Sequence, residues 1–249
     1  MEIDHLFILC DVGAPEADAL TDLGFVEGSS NVHPGQGTAC RRFFCETSYL
    51  ELLWVERPDE AQAEPARGTG LWERWSRRAN ADGGGGGGAS GGARSGGRDG
   101  GASPFGIVLR PSSDAEGVVG APFAAESYAP DYMPAGISIG VAAGVPLGEP
   151  ACFWLPFQRG RARQGIEPAA HAEARVITGV RVSLPSHPAS PGATMRDASV
   201  QSEAARAVER AGLIAFVQAT EHLLDLTLDD ARHHRTADLR PHLPLRLHW

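Results

Sequence analysis

The first 55 residues are the part of this chain that most restricts its fold. An apolar run over 3–10 is followed by a helix start at Pro15, with Ala17, Leu20 and Leu23 on one face and Gly24 at the end. A short strand resumes at Phe25-Val26-Glu27-Gly28, and a Gly- and Pro-containing loop occupies 29–39. Arg41-Arg42-Phe43-Phe44-Cys45 then pairs with the run at 49–55 through a tight turn at Glu46-Thr47-Ser48. The order strand, helix, strand, strand, strand matters more than any one element in it.

Two of these strands each carry a single chemically active side chain. His5 stands near the start of the apolar run Ile3-Asp4-His5-Leu6-Phe7-Ile8, and Glu51 in the middle of Tyr49-Leu50-Glu51-Leu52-Leu53-Trp54. A charge inside a strand that otherwise reads as core is costly unless it is paired or bound to something. Either the two groups satisfy each other or take backbone and water partners, or they serve a site; His and Glu are ligand types that Zn²⁺, Fe²⁺ and Mn²⁺ favour. Strand alternation places His5 with Ile3 and Phe7, and Glu51 with Tyr49 and Leu53.

Beyond Trp54 the pattern changes. Residues 69–78 read as a short helix with Leu71, Trp72 and Trp75 as apolar contacts, and 79–103, with six consecutive glycines from Gly83 to Gly88, has almost nothing to bury and reads as a flexible linker. Strands are expected at 104–109, 136–141 and 151–157, with no helix pattern between Arg110 and Gly136, so 104–158 reads as a β-module that has lost its helix. From 174 to 249 the opening order returns: a strand at 176–182, a helix on Val200, Ala204, Ala207, Val208 and Ala211 capped by Gly212, a hairpin of 213–219 with 222–228, and an edge strand at 243–249. The chain thus divides into 1–57, 58–103, 104–158 and 174–249.

Composition excludes several functions. The net charge of −9 argues against a general nucleic-acid binder, and no apolar stretch is long enough to span a bilayer; the basic start of a signal peptide is missing, which fits a cytoplasmic protein. The chain contains no lysine, so Schiff-base chemistry on lysine and a P-loop are out of reach. The four cysteines have no metal-binding spacing and read as reduced, buried thiols. No nucleophile elbow and no H-E-x-x-H occurs.

The Ile-Asp-His-Leu opening, the Leu-Glu-Leu strand and the repeated β-α-β-β-β unit resemble the vicinal oxygen chelate superfamily. The segment Asn31-Val32-His33-Pro34-Gly35-Gln36-Gly37-Thr38-Ala39, followed by a strand and then Tyr49-Leu50-Glu51-Leu52-Leu53, is similar to its glyoxalase-like domain proteins. The resemblance is strong over 2–55, fair over 104–157 and 177–229, and absent from the Gly-rich stretch. It implies an α+β fold of tandem βαβββ modules that form a cup-shaped mixed sheet, with helices outside and His5 and Glu51 facing the cavity.

In the metalloenzymes of that superfamily a His or Gln and a Glu from each of two units hold one divalent ion (Fe, Mn, Zn or Ni), which binds neighbouring substrate oxygens. Carried over, this gives His5 and Glu51 as metal ligands or acid–base pair, and Asp225 of Leu223-Leu224-Asp225-Leu226 as a third ligand. Gly179 falls where a second His would stand in the last unit; Phe105 or Gly106, and Cys152 or Phe153, hold the matching places in the middle one. None of these is a ligand type that the superfamily uses at these places. Asn31, His33, Gln36 and Thr38 are the candidates for binding substrate, with the alternative that they satisfy their own loop. The functions implied are a lyase, isomerase or dioxygenase acting on a small oxygenated substrate, or a metal-free protein that sequesters a small molecule as drug-resistance members do. A homodimer is compatible with either.

Overall fold

Side chains alternate between two apolar environments along β1 (Glu2–Leu9): Leu6 and Ile8 enter one buried cluster, Phe7 and Leu9 the other. The same alternation runs through β3 (Thr38–Phe44), β4 (Tyr49–Val55), β5 (Phe105–Arg110) and β8 (Ala151–Trp154), so these strands form a sheet buried on both faces. This computed structural model describes residues 1–78, 101–112, 120–156, 175–185, 200 and 202–249. Residues 79–100 of the linker expected at 79–103, and Phe157 at the end of an expected strand, lie outside the described residues, while Ala102 and Ser103 at the end of that linker are buried.

With β2 (Asn31–His33), β6 (Ala125–Tyr128) and β7 (Ile139–Ala142), these strands build an eight-stranded sheet of order β2-β3-β4-β1-β5-β8-β7-β6. It is mixed and curled, with helices packed outside. β1 lies parallel to β4, and β5 parallel to β8, while β1 and β5 meet antiparallel at the centre. Each half therefore has the same strand order read outward from the centre. The partner of the first module is thus the middle section.

Residues 175–249 do something else. β9 (Ile177–Pro185), β10 (Ala215–Ala219), β11 (Leu223–Leu228), β12 (Thr236–Asp238) and β13 (Leu245–His248) form a second sheet of order β10-β9-β11-β13-β12. The expected hairpin of 213–219 with 222–228 does not form, because β10 and β11 flank β9 on opposite sides. β9 and β11 are antiparallel where β1 and β4 are parallel, so the sequence repeat is not a topological one. The C-terminal strand is interior, bonded to β11 and β12.

The outer face of the first sheet (Leu6, Ile8, Leu52, Trp54, Ile107, Trp154) and the second sheet (Val182, Leu224, Leu226, Leu245, Leu247) share one core. Ala17 and Leu20 of α1 (Ala17–Asp22) enter it too, with Ala204, Ala207 and Val208 of α4 (Glu203–Arg210). Ser202 caps α4 by accepting from the Ala205 amide at 3.1 Å. Two shorter helices, α2 (Pro58–Gln62) and α3 (Leu71–Arg77), follow β4. At 25–28 there is only an isolated bridge from Glu27 to Phe43, and the strand falls instead at β2, inside the expected loop. No helix is long and apolar enough to cross a membrane among the described residues.

Candidate functional site

On the concave face of the first sheet lies a cavity of about 280 Å³. His5, Tyr49 and Glu51 reach it from β1 and β4, and Asn31, His33, Gln36 and Arg42 from β2, β3 and their turn. Sequence parity is right for Glu51, which shares its face with Tyr49 and Leu53. It fails for Ile3, which packs on the outer cluster. The reason is a register shift against β5: Ile3 pairs with Leu109 and His5 with Val108, leaving Asp4 as the extra residue of a bulge.

That bulge sets the chemistry of His5. The fully buried Asp4 carboxylate takes a hydrogen bond from His5 Nδ1 at 2.8 Å and an ion pair from Arg110 at 3.3 Å. A carboxylate paired with a guanidinium only accepts, so His5 Nδ1 carries a proton and donates it to Asp4. Nε2 lies 3.7 Å from Glu51 Oε2, and the ring stacks on Tyr49 with centroids 4.3 Å apart. Glu51 is buried, and the Cys40 thiol from β3 hydrogen-bonds to it. Burial first, and then the Glu51 charge, push the Cys40 thiol far up, which keeps it protonated.

The loop residues are partly committed to one another. His33 Nδ1 lies 3.0 Å from Thr38 Oγ1, and Asn31 Nδ2 lies 3.1 Å from His33 Nε2. An amide nitrogen only donates, so Nε2 accepts from Asn31 and Nδ1 donates to Thr38. Burial pulls the His33 pKa below its ordinary value, against the opposing pull of Glu51. Thr38 is fully buried beneath this chain, whereas Asn31, His33 and Gln36 line the cavity. Gln36 is held in a turn whose Gly37 carbonyl accepts from the Glu56 and Arg57 amides at 2.9 and 3.0 Å. Gly37 has φ +71°, and a β-carbon there would stand 2.3 Å from the Arg57 carbonyl, so the turn requires glycine.

Asp225 is not part of this site. It lies on β11 in the second sheet, where its carboxylate meets Arg246 and His248, each at 3.3 Å. The sequence parallel between the two acidic strands fails because the last section builds its own sheet. Gly179 likewise lies on β9 and faces Thr227.

The rest of the lining is largely apolar: Phe7, Val108, Ile139, Met133, Phe153 and Leu155, with Leu71 from α3, joined by Tyr128 and Tyr132. Reading the two halves as equivalent about the β1–β5 pair puts Gly106 where His5 stands and Phe153 where Glu51 stands. A β-carbon on Gly106 would lie 1.9–2.4 Å from atoms of the Phe7 ring, so Phe7 fills the space of the missing second histidine. A four-ligand site shared by both halves is therefore not built here. The first half offers another set, since single ligand atoms of His33, Cys40 and Glu51 lie within 4.8 Å of one another. Nitrogen, sulfur and oxygen donors of this kind suit zinc, at ligand distances of about 2.0–2.3 Å, so these atoms would have to draw together. The His, Cys and Glu set thus fits a divalent ion in kind, with His5 Nε2 adjacent to Glu51.

Sequence reasoning set Phe7 and Tyr49 on the faces of His5 and Glu51 and Phe153 at a matching place, but missed Asp4, Tyr128 and Tyr132 and read Cys40 only as a buried thiol. Strand parity with His5 and Glu51 points to Phe7 and Tyr49. Tyr128 and Tyr132 lie in a Pro-rich stretch without periodicity, and no sequence signal marks them. A larger cleft of about 940 Å³ runs past the far end of β1. In it Arg78 pairs with Asp11, and Arg240 with Asp238 and Glu221, while Glu16, His222 and His242 also line it.

The curled sheet of two like halves, with helices outside, matches a cup fold like that of vicinal oxygen chelate proteins. In agreement, residues 3–91 match the family described as a glyoxalase-like domain. No curated protein matches the chain. Among solved structures it is similar to a hypothetical protein from Staphylococcus aureus, at 12% identity over 99% of this chain and 98% of that one, with a TM-score of 0.49.

Proposed function

We propose that this cup binds one small oxygenated molecule and moves a proton on it, with Glu51 as the base and His5 as its proton-exchanging neighbour. The observation that carries the reading is the Asp4–His5–Glu51 line, in which one buried carboxylate holds the imidazole at Nδ1 and orients Nε2 toward a second buried carboxylate. A carboxylate within reach of a carbon acid, with an imidazole to share the proton, serves the lyase and isomerase classes. A divalent ion held by Glu51 with His33, Cys40 or His5 would polarise the substrate oxygen and lower the barrier to the same proton transfer. The apolar half of the cup excludes water from the reacting carbon and takes up the non-polar body of the ligand.

The test is solvent-deuterium exchange into small 2-oxo and 2-hydroxy carbonyl compounds, followed by NMR, on protein purified without an affinity tag and assayed for metal by mass spectrometry. Wild-type protein is expected to exchange the hydrogen next to the carbonyl, and Glu51→Gln to slow this by about 10²–10⁴-fold. Full exchange in a folded Glu51→Gln protein would remove the assignment. A second reading, a metal-free protein that only sequesters its ligand, draws on Gly106 and Phe153 at the places of the second ligand pair. Saturable binding without exchange or product in any of these compounds would favour it.

A further inference from the structure

Gln36 is 8% exposed and lines the cup, and its Oε1 accepts from the Tyr132 hydroxyl at 2.5 Å. Its Nε2 has no hydrogen-bond partner among the described residues. A carbonyl oxygen only accepts, so the single Tyr132 hydroxyl hydrogen goes to Gln36. The Tyr128 and Tyr132 hydroxyls are bonded to each other, which makes Tyr128 the donor of that pair. Burial pushes both phenols up, Tyr128 to about 12, so both keep their hydrogens at neutral pH. The line Tyr128–Tyr132–Gln36 thus runs from the end of β6 to the turn between β2 and β3, and the Tyr132 ring leans on His33 with centroids 5.1 Å apart. With Oε1 committed to this line, the amide plane is fixed and its nitrogen is left to the cavity.

We propose that the Gln36 amide nitrogen holds the ligand's carbonyl oxygen and the negative charge that develops on it. The inference rests on the proton-transfer reading of the cup, to which it adds the group that receives the charge. When Glu51 takes a proton from the carbon beside a carbonyl, the C–H electron pair moves into a carbon–carbon double bond and the carbonyl π pair moves onto oxygen. That oxygen is stabilised most by a donor already set in place, because nothing then has to reorient as the charge forms. Return of a deuteron from Glu51 to carbon restores the carbonyl and completes the exchange. The Asn31 amide, by contrast, is given to His33 Nε2 at 3.1 Å. A buried amide donor without an acceptor is costly, and a ligand oxygen removes that cost. The cup should therefore take aldehydes and ketones with a hydrogen on the neighbouring carbon, and discriminate against analogues without the oxygen, which leave the donor unpaired.

Hydroxyacetone serves as the probe, added to isotope-labelled protein while the side-chain amide signals of Gln36 are followed by NMR. Gln36→Glu, of the same shape, identifies those signals by lacking them. They are expected to shift saturably in wild-type protein and equally in Glu51→Gln, since holding the oxygen does not need the base. Gln36→Met should lower kcat for deuterium exchange into hydroxyacetone by about 10²-fold and change KM by less than about threefold, the pattern of a contact strongest in the transition state. Tyr132→Phe keeps the amide but frees its orientation, and should lose less. Other cavity signals shifting without those of Gln36 would overturn the proposal and leave Glu51 as base. So would full turnover in Gln36→Met, or a loss in Tyr132→Phe as large as that in Gln36→Met. If hydroxyacetone moves no cavity signal and wild-type protein exchanges none of the carbonyl compounds, the proton-transfer reading fails and the donor with it.

Discussion

At Gly106 a single missing β-carbon decides the form of the site. Phe7 is buried against Phe153, with ring centroids 5.9 Å apart, and its ring occupies the space that a side chain at position 106 would need. Gly106→Ala should therefore cost about 1–3 kcal/mol in chemical denaturation, the usual penalty for overpacking. Adding Phe7→Leu should recover part of that loss, and no recovery would mean that the strain lies elsewhere. His33 gives a pH signature at the same scale. Its imidazole is held below the ordinary 6.5 by burial, so the unfolded chain binds the proton more readily than the folded one. Its contribution to stability is complete above about pH 6.5 and is lost as the pH falls below it. His33→Gln, compared with wild type in metal-free buffer, should show a flatter decline of the urea midpoint over this acid range. Equal slopes would mean that His33 titrates alike in both states.

Short elements are held in place by single polar side chains. α3 carries Leu71 to the edge of the cup and Arg74 into the interior, 3% exposed. The Arg74 guanidinium donates to the backbone carbonyls of Leu147 at 2.9 Å and Pro146 at 3.1 Å, and also to that of Glu149. It thus clips the loop that leads into β8, on which Phe153 stands. Burial lowers its pKa to about 10, yet it remains charged at neutral pH, and no substitute of similar length restores a forked donor. Arg74→Met should cost about 2–4 kcal/mol by leaving several buried carbonyls unpaired. The loss should appear in the urea midpoint together with weaker ligand binding, because Leu71 and Phe153 both line the cup. A neutral substitution would show that water serves these carbonyls equally well.

The two sheets are one thermodynamic object at the scale of the molecule, because their facing side chains belong to one apolar cluster. Leu226 is 2% exposed on β11, far from the chemistry, yet it packs into the core that backs the cup. Leu226→Ala should cost about 2–5 kcal/mol, as core truncations of this size do. Unfolding followed by tryptophan fluorescence and by circular dichroism should remain a single coincident transition, displaced to lower denaturant. Two separated transitions would mean that the second sheet folds as an independent domain.

The sequence by itself determined the strand–helix–strand order of the first 55 residues and the two-sided burial of β1 and β4, while the shared cavity of His5 and Glu51 was implied by the family resemblance. Each is local: strand alternation fixes which face a residue takes, and a Pro or Gly fixes where an element starts or stops. Tertiary structure decided the remainder. That β5 rather than β9 pairs with β1 depends on contacts between residues about a hundred positions apart, and apolar strands of similar composition compete for that edge on equal local terms. The mistaken pairing of Asp225 with Glu51 follows from this, since two acidic strands look alike until their sheets are known. Asp4 became a second carboxylate for His5 only through a bulge, and a one-residue shift in register leaves no trace in periodicity. Cys40 and Tyr128 entered the site for the same reason: side chains from separate strands meet in the cavity only once the sheet has curled.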